Sequence, residues 1–192
     1  FNMKYLDALI IGAGFSGLYQ LHCLRDKLKL NTLVVEEGKD IGGTWYWNTY
    51  PGARCDSESF TYGFTFSEKI FKNWTWKERY PKQNVILKYL KYFSNELKLN
   101  KNIVFNEKVI SAKYIEKNNL WKVQTNNKKK YYTKYLICAV GSLSSINLPK
   151  IKGINQFKGQ LHHSGRWPKK KINFRNKIVG QVGTGSTGIQ IA

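Results

Sequence analysis

The chain has 192 residues, 42% of them apolar, which suits one full domain with a buried core and part of a second. Its net charge of +20 is carried by 27 Lys against 5 Arg; the lysines are scattered among asparagines and lack the arginine forks and placed aromatics of nucleic-acid readers, so they read as solvated surface with no nucleic-acid partner expected. Three cysteines (Cys23, Cys55, Cys138) fit neither a disulfide framework nor a zinc site, no run reaches the length of a membrane span, and the segment from Phe1 to Asp7 has no signal-peptide pattern. Together these predict a cytoplasmic protein with reduced thiols, no metal site and no membrane partner.

In chain order, the apolar run Tyr5–Ile11 predicts a buried parallel strand. Gly12-Ala13-Gly14-Phe15-Ser16-Gly17 follows at once, and Leu18, Leu21, Leu24 and Leu28 give helical spacing to Leu18–Leu28. A second short strand, Thr32–Val35, ends at Glu36. Each part of this order has a physical role. Gly12 permits a tight turn, Gly14 lets backbone approach a pyrophosphate, and Gly17 lets helix and strand pack closely. The free N–H groups of the helix start favour the phosphates. Glu36, 19 residues beyond Gly17, stands where an acid hydrogen-bonds ribose hydroxyls. The reading is a dinucleotide site; a glycine turn that merely packs is the alternative.

Next comes Gly42-Gly43-Thr44-Trp45-Tyr46-Trp47-Asn48-Thr49-Tyr50-Pro51-Gly52-Ala53-Arg54-Cys55-Asp56. Its glycines allow close approach to a flat ligand, and Trp45, Trp47 and Tyr50 offer rigid faces for one. An aromatic loop packed into a core is the alternative. A helix is predicted over Lys82–Leu97 from its apolar face, then a short strand at Ile103–Phe105. Val109–Ile115, Leu120–Thr125 and Lys130–Tyr135 alternate as a three-stranded meander, and Tyr135–Val140 reads as a last buried parallel strand. Further on, Phe157, Gly159, His163, Trp167 and Pro168 stand in the pattern FxGxxxHxxxWP. The apolar run Lys177–Val182 predicts another strand, followed by a second glycine turn, Gly183-Thr184-Gly185-Ser186-Thr187-Gly188, and a helix start.

The segment from Gly43 to Asp56 resembles the long fingerprint of Baeyer–Villiger monooxygenases in Gly43, Trp45, Tyr50, Pro51, Gly52 and Asp56, and Phe157–Pro168 resembles the short one. Related disulfide reductases carry a redox cysteine after the glycine-Thr step; Trp45 stands there instead. The resemblance covers essentially the whole chain and departs from the family at Ile146, where proline is common. It implies an α/β, Rossmann-like two-dinucleotide-binding flavoprotein fold: a parallel sheet with an inserted β-meander and a second Rossmann domain only begun. The expected division is an FAD-binding domain over 1–150, a linker carrying the short fingerprint over 151–176, and the start of an NADP-binding domain over 177–192, making the chain an N-terminal fragment.

The resemblance also implies FAD and NADP as cofactors and a small-molecule ketone and O2 as partners. The activity implied is insertion of one oxygen atom beside the ketone carbonyl, through a peroxide adduct at the flavin C4a carbon, to give an ester or lactone. FAD would be met by Gly12, Gly14, Phe15, Ser16, Gly17, Glu36, Gly43, Thr44, Trp45, Tyr50 and Asp56. NADP would be met by Gly183, Thr184, Gly185, Ser186, Thr187 and Gly188. Asp56 is the catalytic candidate, positioning an arginine that in the family lies downstream. Phe157, Gly159, His163, Trp167 and Pro168 would couple the domains as they move. An N- or S-oxidising flavin-containing monooxygenase is the alternative within enzymes, and a basic binding protein the alternative outside them.

Overall fold

A computed structural model describes residues 4–192; residues 1–3, where the segment beginning at Phe1 starts, lie outside the described residues. In chain order the elements are β1 Lys4–Ile11, α1 Phe15–His22, β2 Thr32–Val35, α2 Thr44–Trp47, α3 Glu68–Lys72, α4 Gln83–Glu96, β3 Ile103–Val104, β4 Val109–Ile115, β5 Leu120–Thr125, β6 Lys130–Cys138 and α5 Ser186–Ile191. The chain divides into two compact units. One takes in the chain up to Tyr46 together with Tyr89–Gly141; the other is Trp47–Lys88 with Ser142–Ala192.

The first unit is a six-stranded sheet in the order β3-β2-β1-β6-β5-β4. β1 pairs in parallel with β2 on one side and β6 on the other, and β2 with β3, while β5 joins β6 and β4 antiparallel. A central strand flanked on both sides buries consecutive side chains, so β1 shows a continuous apolar run in which Ala8, Leu9 and Ile10 are fully buried. Leu6 and Leu9 pack with Leu33, Val35, Val123 and Tyr131 in one core cluster, each large side chain contributing on the order of 1.5–3 kcal/mol by burial. In α4, Ile86, Tyr89, Leu90 and Phe93 are buried at i, i+3, i+4 and i+7 spacing, and the chain leaves the helix through Lys98 at φ +51°.

At the far end of the sheet a buried polar knot ties β3's exit to the meander. The Glu107 carboxylate accepts from Thr125 Oγ1 at 2.8 Å, Tyr131 Oη at 3.1 Å and Lys129 Nζ at 2.7 Å. Burial, with Glu107 alongside, pushes the Tyr131 phenol above its ordinary value.

The observed elements differ from the sequence expectation at three places. The helix expected over Leu18–Leu28 ends its α-form at His22 and finishes as a π-helical turn, Cys23–Lys27. The strands expected at Lys130–Tyr135 and Tyr135–Val140 are one continuous strand, β6. Its first half pairs with β5 and its whole length with β1, because no turn-forming residue interrupts Lys130–Cys138. The strand expected over Lys177–Val182 is not formed. A strand exists only through a neighbour's hydrogen-bond ladder, and no described residue pairs with this run, where Ile178, Val179 and Val182 are exposed.

The second unit is mostly loop. Its segment 53–59 runs beside residues 79–83, with an antiparallel bridge between Arg54 and Lys82 and backbone bonds from Cys55 N–H to Pro81 O (2.9 Å), Ser59 N–H to Arg79 O (2.7 Å) and Gln83 N–H to Ala53 O (2.8 Å). No helix of the described residues is long and apolar enough to cross a membrane.

Candidate functional site

The first glycine turn leaves β1 at its C-terminal end, between β2 and β6. Gly12 adopts φ +100°, and a Cβ there would lie 2.6 Å from the Ala139 carbonyl oxygen. A Cβ at Gly17 would collide with the Gly12 carbonyl oxygen, so these two glycines are required by packing alone. Gly14 is different. It is the N-cap of α1 with an ordinary φ of −83°, and a Cβ there would meet only the Gly43 backbone at 3.5 Å. Nothing among the described residues forbids a Cβ at Gly14, yet its absence leaves the N-terminal N–H groups of α1 open to a phosphate. Phe15 sets its ring 6.2 Å from that of Tyr89, and Ser16 is exposed on the first turn.

Glu36 closes the same place from β2. Its carboxylate is buried; Oε2 accepts from the Ala13 N–H at 2.7 Å and Oε1 from the Gly38 N–H at 2.7 Å. It therefore braces the glycine turn directly, and each oxygen has a second lone pair for a ribose hydroxyl. Tyr46, which the sequence did not single out, walls this corner: a Cβ at Gly38 would lie 2.8 Å from its ring, and its hydroxyl accepts from the Lys39 N–H at 3.2 Å.

The Gly42-Gly43 pair works against protein backbone. Gly42 N–H donates to Ala13 O at 2.9 Å, and a Cβ at Gly43 (φ +53°) would lie 2.9 Å from Gly14 Cα. Thr44 opens α2, and Trp45 in that helix is buried.

Within the second unit, the later half of the long fingerprint meets the second glycine turn. Gly183 takes φ +115°, Gly185 caps α5, and a Cβ at Gly188 would lie 2.5 Å from the Gly183 carbonyl oxygen. Thr184 and Ser186 are exposed. Tyr50 Oη lies 3.4 Å from Thr187 Oγ1 and donates to Gln190 Oε1 at 3.1 Å, while Asp56 accepts from Gln190 Nε2 at 2.8 Å. Gln190 went unremarked in the sequence because a lone glutamine past a glycine turn carries no motif. Cys55, beside Asp56, is buried, and burial pushes its thiol above the ordinary value. A neutral thiol there has little nucleophilic character. A shallow groove runs between residues 50–54 and 82–84.

The short fingerprint is also in this unit. His163 Nδ1 accepts from the Gly165 N–H at 3.1 Å and so caps the turn Ser164–Arg166. Trp167 sits between the rings of His162 (5.7 Å) and Phe174 (6.3 Å), with Pro168 following. Phe157 folds over Gly159, where a Cβ would lie 2.6 Å from its ring. Arg166 stacks its guanidinium 5.1 Å from the Trp47 ring centre and donates to Ser144 O at 3.3 Å. Among the described residues, no group of three His, Cys, Asp or Glu side chains is placed to hold a metal ion.

A parallel sheet with a glycine turn and buried acid at its strand ends, followed by a second glycine turn, defines the two-dinucleotide-binding flavoprotein class. The chain belongs to the flavin-binding monooxygenase-like family, whose model matches residues 7–192. It is 44% identical over 185 residues to a Baeyer-Villiger monooxygenase of Pseudooceanicola batsensis, covering 96% of this chain and 34% of that protein. It is 41% identical over 189 residues to the phenazine N-monooxygenase PhzNO1 of Lysobacter antibioticus, covering 98% of this chain and 35% of that protein. Among solved structures, cyclohexanone monooxygenase from Rhodococcus sp. Phi1 bound to NADP+ superposes with a TM-score of 0.94 at 42% identity, over 99% of this chain and 36% of that one. The chain thus spans about a third of the length of the relatives it matches.

Proposed function

We propose that the full-length protein is an FAD- and NADPH-dependent Baeyer–Villiger monooxygenase, cytoplasmic, which inserts one oxygen atom of O2 beside a ketone carbonyl to give an ester or lactone. The observation that carries this reading is the Gly43–Asp56 segment, whose Asp56 is hydrogen-bonded to the helix that the second glycine turn begins. The division proposed is FAD binding by residues 1–150, a linker over 151–176, and nicotinamide binding begun at 177–192.

The residues present fit a dinucleotide at the first turn. Gly14 supplies bare backbone at a helix start, and Glu36 supplies a braced carboxylate at the ribose position. Gly12 and Gly17 hold the turn's shape, Phe15 and Ser16 open α1, and Gly43, Thr44, Trp45 and Tyr50 continue the flavin side. The turn Gly183–Gly188, with Thr184, Gly185, Ser186 and Thr187, offers the same local form to NADP. When bound, the flavin supplies hydride acceptance and oxygen activation; the protein's part is to orient and shield it. Asp56 is proposed to orient a cation, and it is that cation which would favour developing negative charge on the reacting group. Phe157, Gly159, His163, Trp167 and Pro168 serve the linkage between the two binding units.

The test is purification of the full-length protein and incubation with NADPH, O2 and a panel of cyclic and linear ketones, with products read by mass. Esters or lactones and bound FAD are expected. A colourless protein, or turnover giving no ester, overturns the reading. N-oxidation is kept as a second reading because one relative of 41% identity carries an N-monooxygenase name; exclusive N- or S-oxide formation would select it.

A further inference from the structure

We propose that Gln190 is a positioning residue, a carboxamide clamp that fixes residues 50–56 and with them the orientation of the Asp56 carboxylate. Its side chain makes four hydrogen bonds. Oε1 accepts from Tyr50 Oη at 3.1 Å and from the Arg54 N–H at 3.2 Å; Nε2 donates to the Arg54 carbonyl at 3.2 Å and to Asp56 Oδ1 at 2.8 Å. Two lone pairs and two N–H groups are the full capacity of a carboxamide. The partners also settle which end is which: the Arg54 N–H can only donate, and the Arg54 carbonyl and Asp56 carboxylate can only accept.

The pairing with Arg54 engages both the N–H and the C=O of that residue, as a neighbouring strand would, though the neighbour is a side chain. Backbone geometry brings the clamp within reach. Gly52, at φ +77°, lies so close to the Gln190 carbonyl that a Cβ there would collide with it. Thr187, one helical turn before Gln190, presents its hydroxyl to the same Tyr50. No other natural side chain meets these demands. Leucine fills the space without bonds, asparagine is shorter by one methylene, and glutamate replaces both donors with an acceptor aimed at Asp56.

The link from this clamp to oxygenation rests on the proposed function; the clamp itself does not. The experiment therefore reads two quantities in the full-length protein and its Gln190→Leu, Gln190→Asn, Asp56→Ala and Asp56→Ala/Gln190→Leu variants. The first is hydrogen exchange of the backbone amides of residues 50–56. Loss of Gln190 is expected to speed exchange at Arg54 about tenfold or more, in the Asn variant as in the Leu variant. The second is the share of oxidised NADPH recovered as oxygenated product rather than hydrogen peroxide, with bound FAD quantified. Gln190→Leu is expected to lower that share about threefold or more at unchanged FAD content, and the double variant to be no worse than Asp56→Ala, since both act through one carboxylate. Wild-type exchange at Arg54 in the Asn variant overturns the clamp. Additive losses in the double variant overturn its action through Asp56. A wild-type protein that oxygenates no ketone defeats the proposed function and leaves the exchange measurement to decide the clamp.

Discussion

The two glycine turns, Gly12–Gly17 and Gly183–Gly188, are written in nearly the same letters and adopt nearly the same backbone, yet their surroundings differ. Both open on a glycine with φ above +100° or at it, both cap their helix with a glycine of extended conformation, and both bring the sixth residue against the first carbonyl. Around the first turn, however, β2, β6, Glu36 and Gly43 close in, so a Cβ at Gly12 would strike Ala139. A Cβ at Gly183 or Gly185 would meet no atom of the described residues within 4 Å beyond its chain neighbours. The difference separates two requirements that the motif runs together. The turn's own shape is a local property of glycine backbone, while the groups packed around the first turn come from the sheet it leaves.

The largest expected effect is a break of this contrast by methyl insertion. Gly17→Ala should cost about 3 kcal/mol or more, because its Cβ meets the Gly12 carbonyl, whose residue is held against Val35 and Ala139. Gly188→Ala meets the Gly183 carbonyl, in an exposed stretch of the turn that can yield, and the movable end of the Gln181 side chain, so its cost should be about 1 kcal/mol or less. Urea unfolding of the two variants checks this; equal losses would mean that the sheet does not stiffen the first turn.

The next pair sharpens what each turn is for. The Cβ of Gly14→Val meets nothing closer than 3.5 Å, so the fold should survive while FAD affinity falls roughly a hundredfold. Gly185→Val should leave FAD binding untouched and weaken NADP binding instead. Flavin absorbance and nicotinamide titration of the full-length variants measure both, and retention of FAD by Gly14→Val would remove the pyrophosphate from this turn.

How far these features could be read from sequence follows the same division. The glycine turns, Glu36, the parallel strands β1 and β2 and the meander's first two strands were legible, because each depends on local backbone freedom or on a short apolar pattern. The unity of β6 was not, since an apolar run does not say that one strand serves two neighbours of opposite direction. The run Lys177–Val182 has a strand's composition but no partner among the described residues, and composition cannot supply one. The position of Glu36 predicts a ribose ligand; what the structure adds is its two bonds to Ala13 and Gly38, a brace for the turn that only three-dimensional proximity reveals. Gln190 was invisible for the same reason.

A smaller effect distinguishes the helices that follow the turns. The first is anchored by ionised groups: Arg25 donates to both oxygens of Asp26, at 2.7 and 2.9 Å, and to the Leu97, Lys98 and Asn102 oxygens, and Asp26 also pairs with His22 at 2.8 Å. The Arg25 hydrogen bonds hold the Asp26 carboxyl below its ordinary range, with His22 adding in the same direction. A lowered carboxyl pKa stabilises the fold above the unfolded value, roughly 3.9, and that contribution fades as pH falls through the lower folded value. The helix Ser186–Ile191 contains no ionisable side chain. Acidification below about pH 4 should therefore loosen amides of the first helix in wild type, and Asp26→Asn should abolish that sensitivity. A wild-type acid profile in Asp26→Asn would show that the anchor rests elsewhere.

Under the proposed function both glycine turns serve one oxygenation, and that oxygenation depends on Asp56. The most direct test of this reading is the partition of NADPH electrons in the full-length protein and its Asp56→Ala variant, with ester or lactone, hydrogen peroxide and bound FAD all measured from one ketone reaction. Wild type should give ester or lactone; in the variant ester yield per bound FAD should fall about tenfold, a larger loss than that of FAD itself, and peroxide should rise to match. Equal ester yield in the two proteins, or a wild type that makes no ester from any ketone, would contradict it.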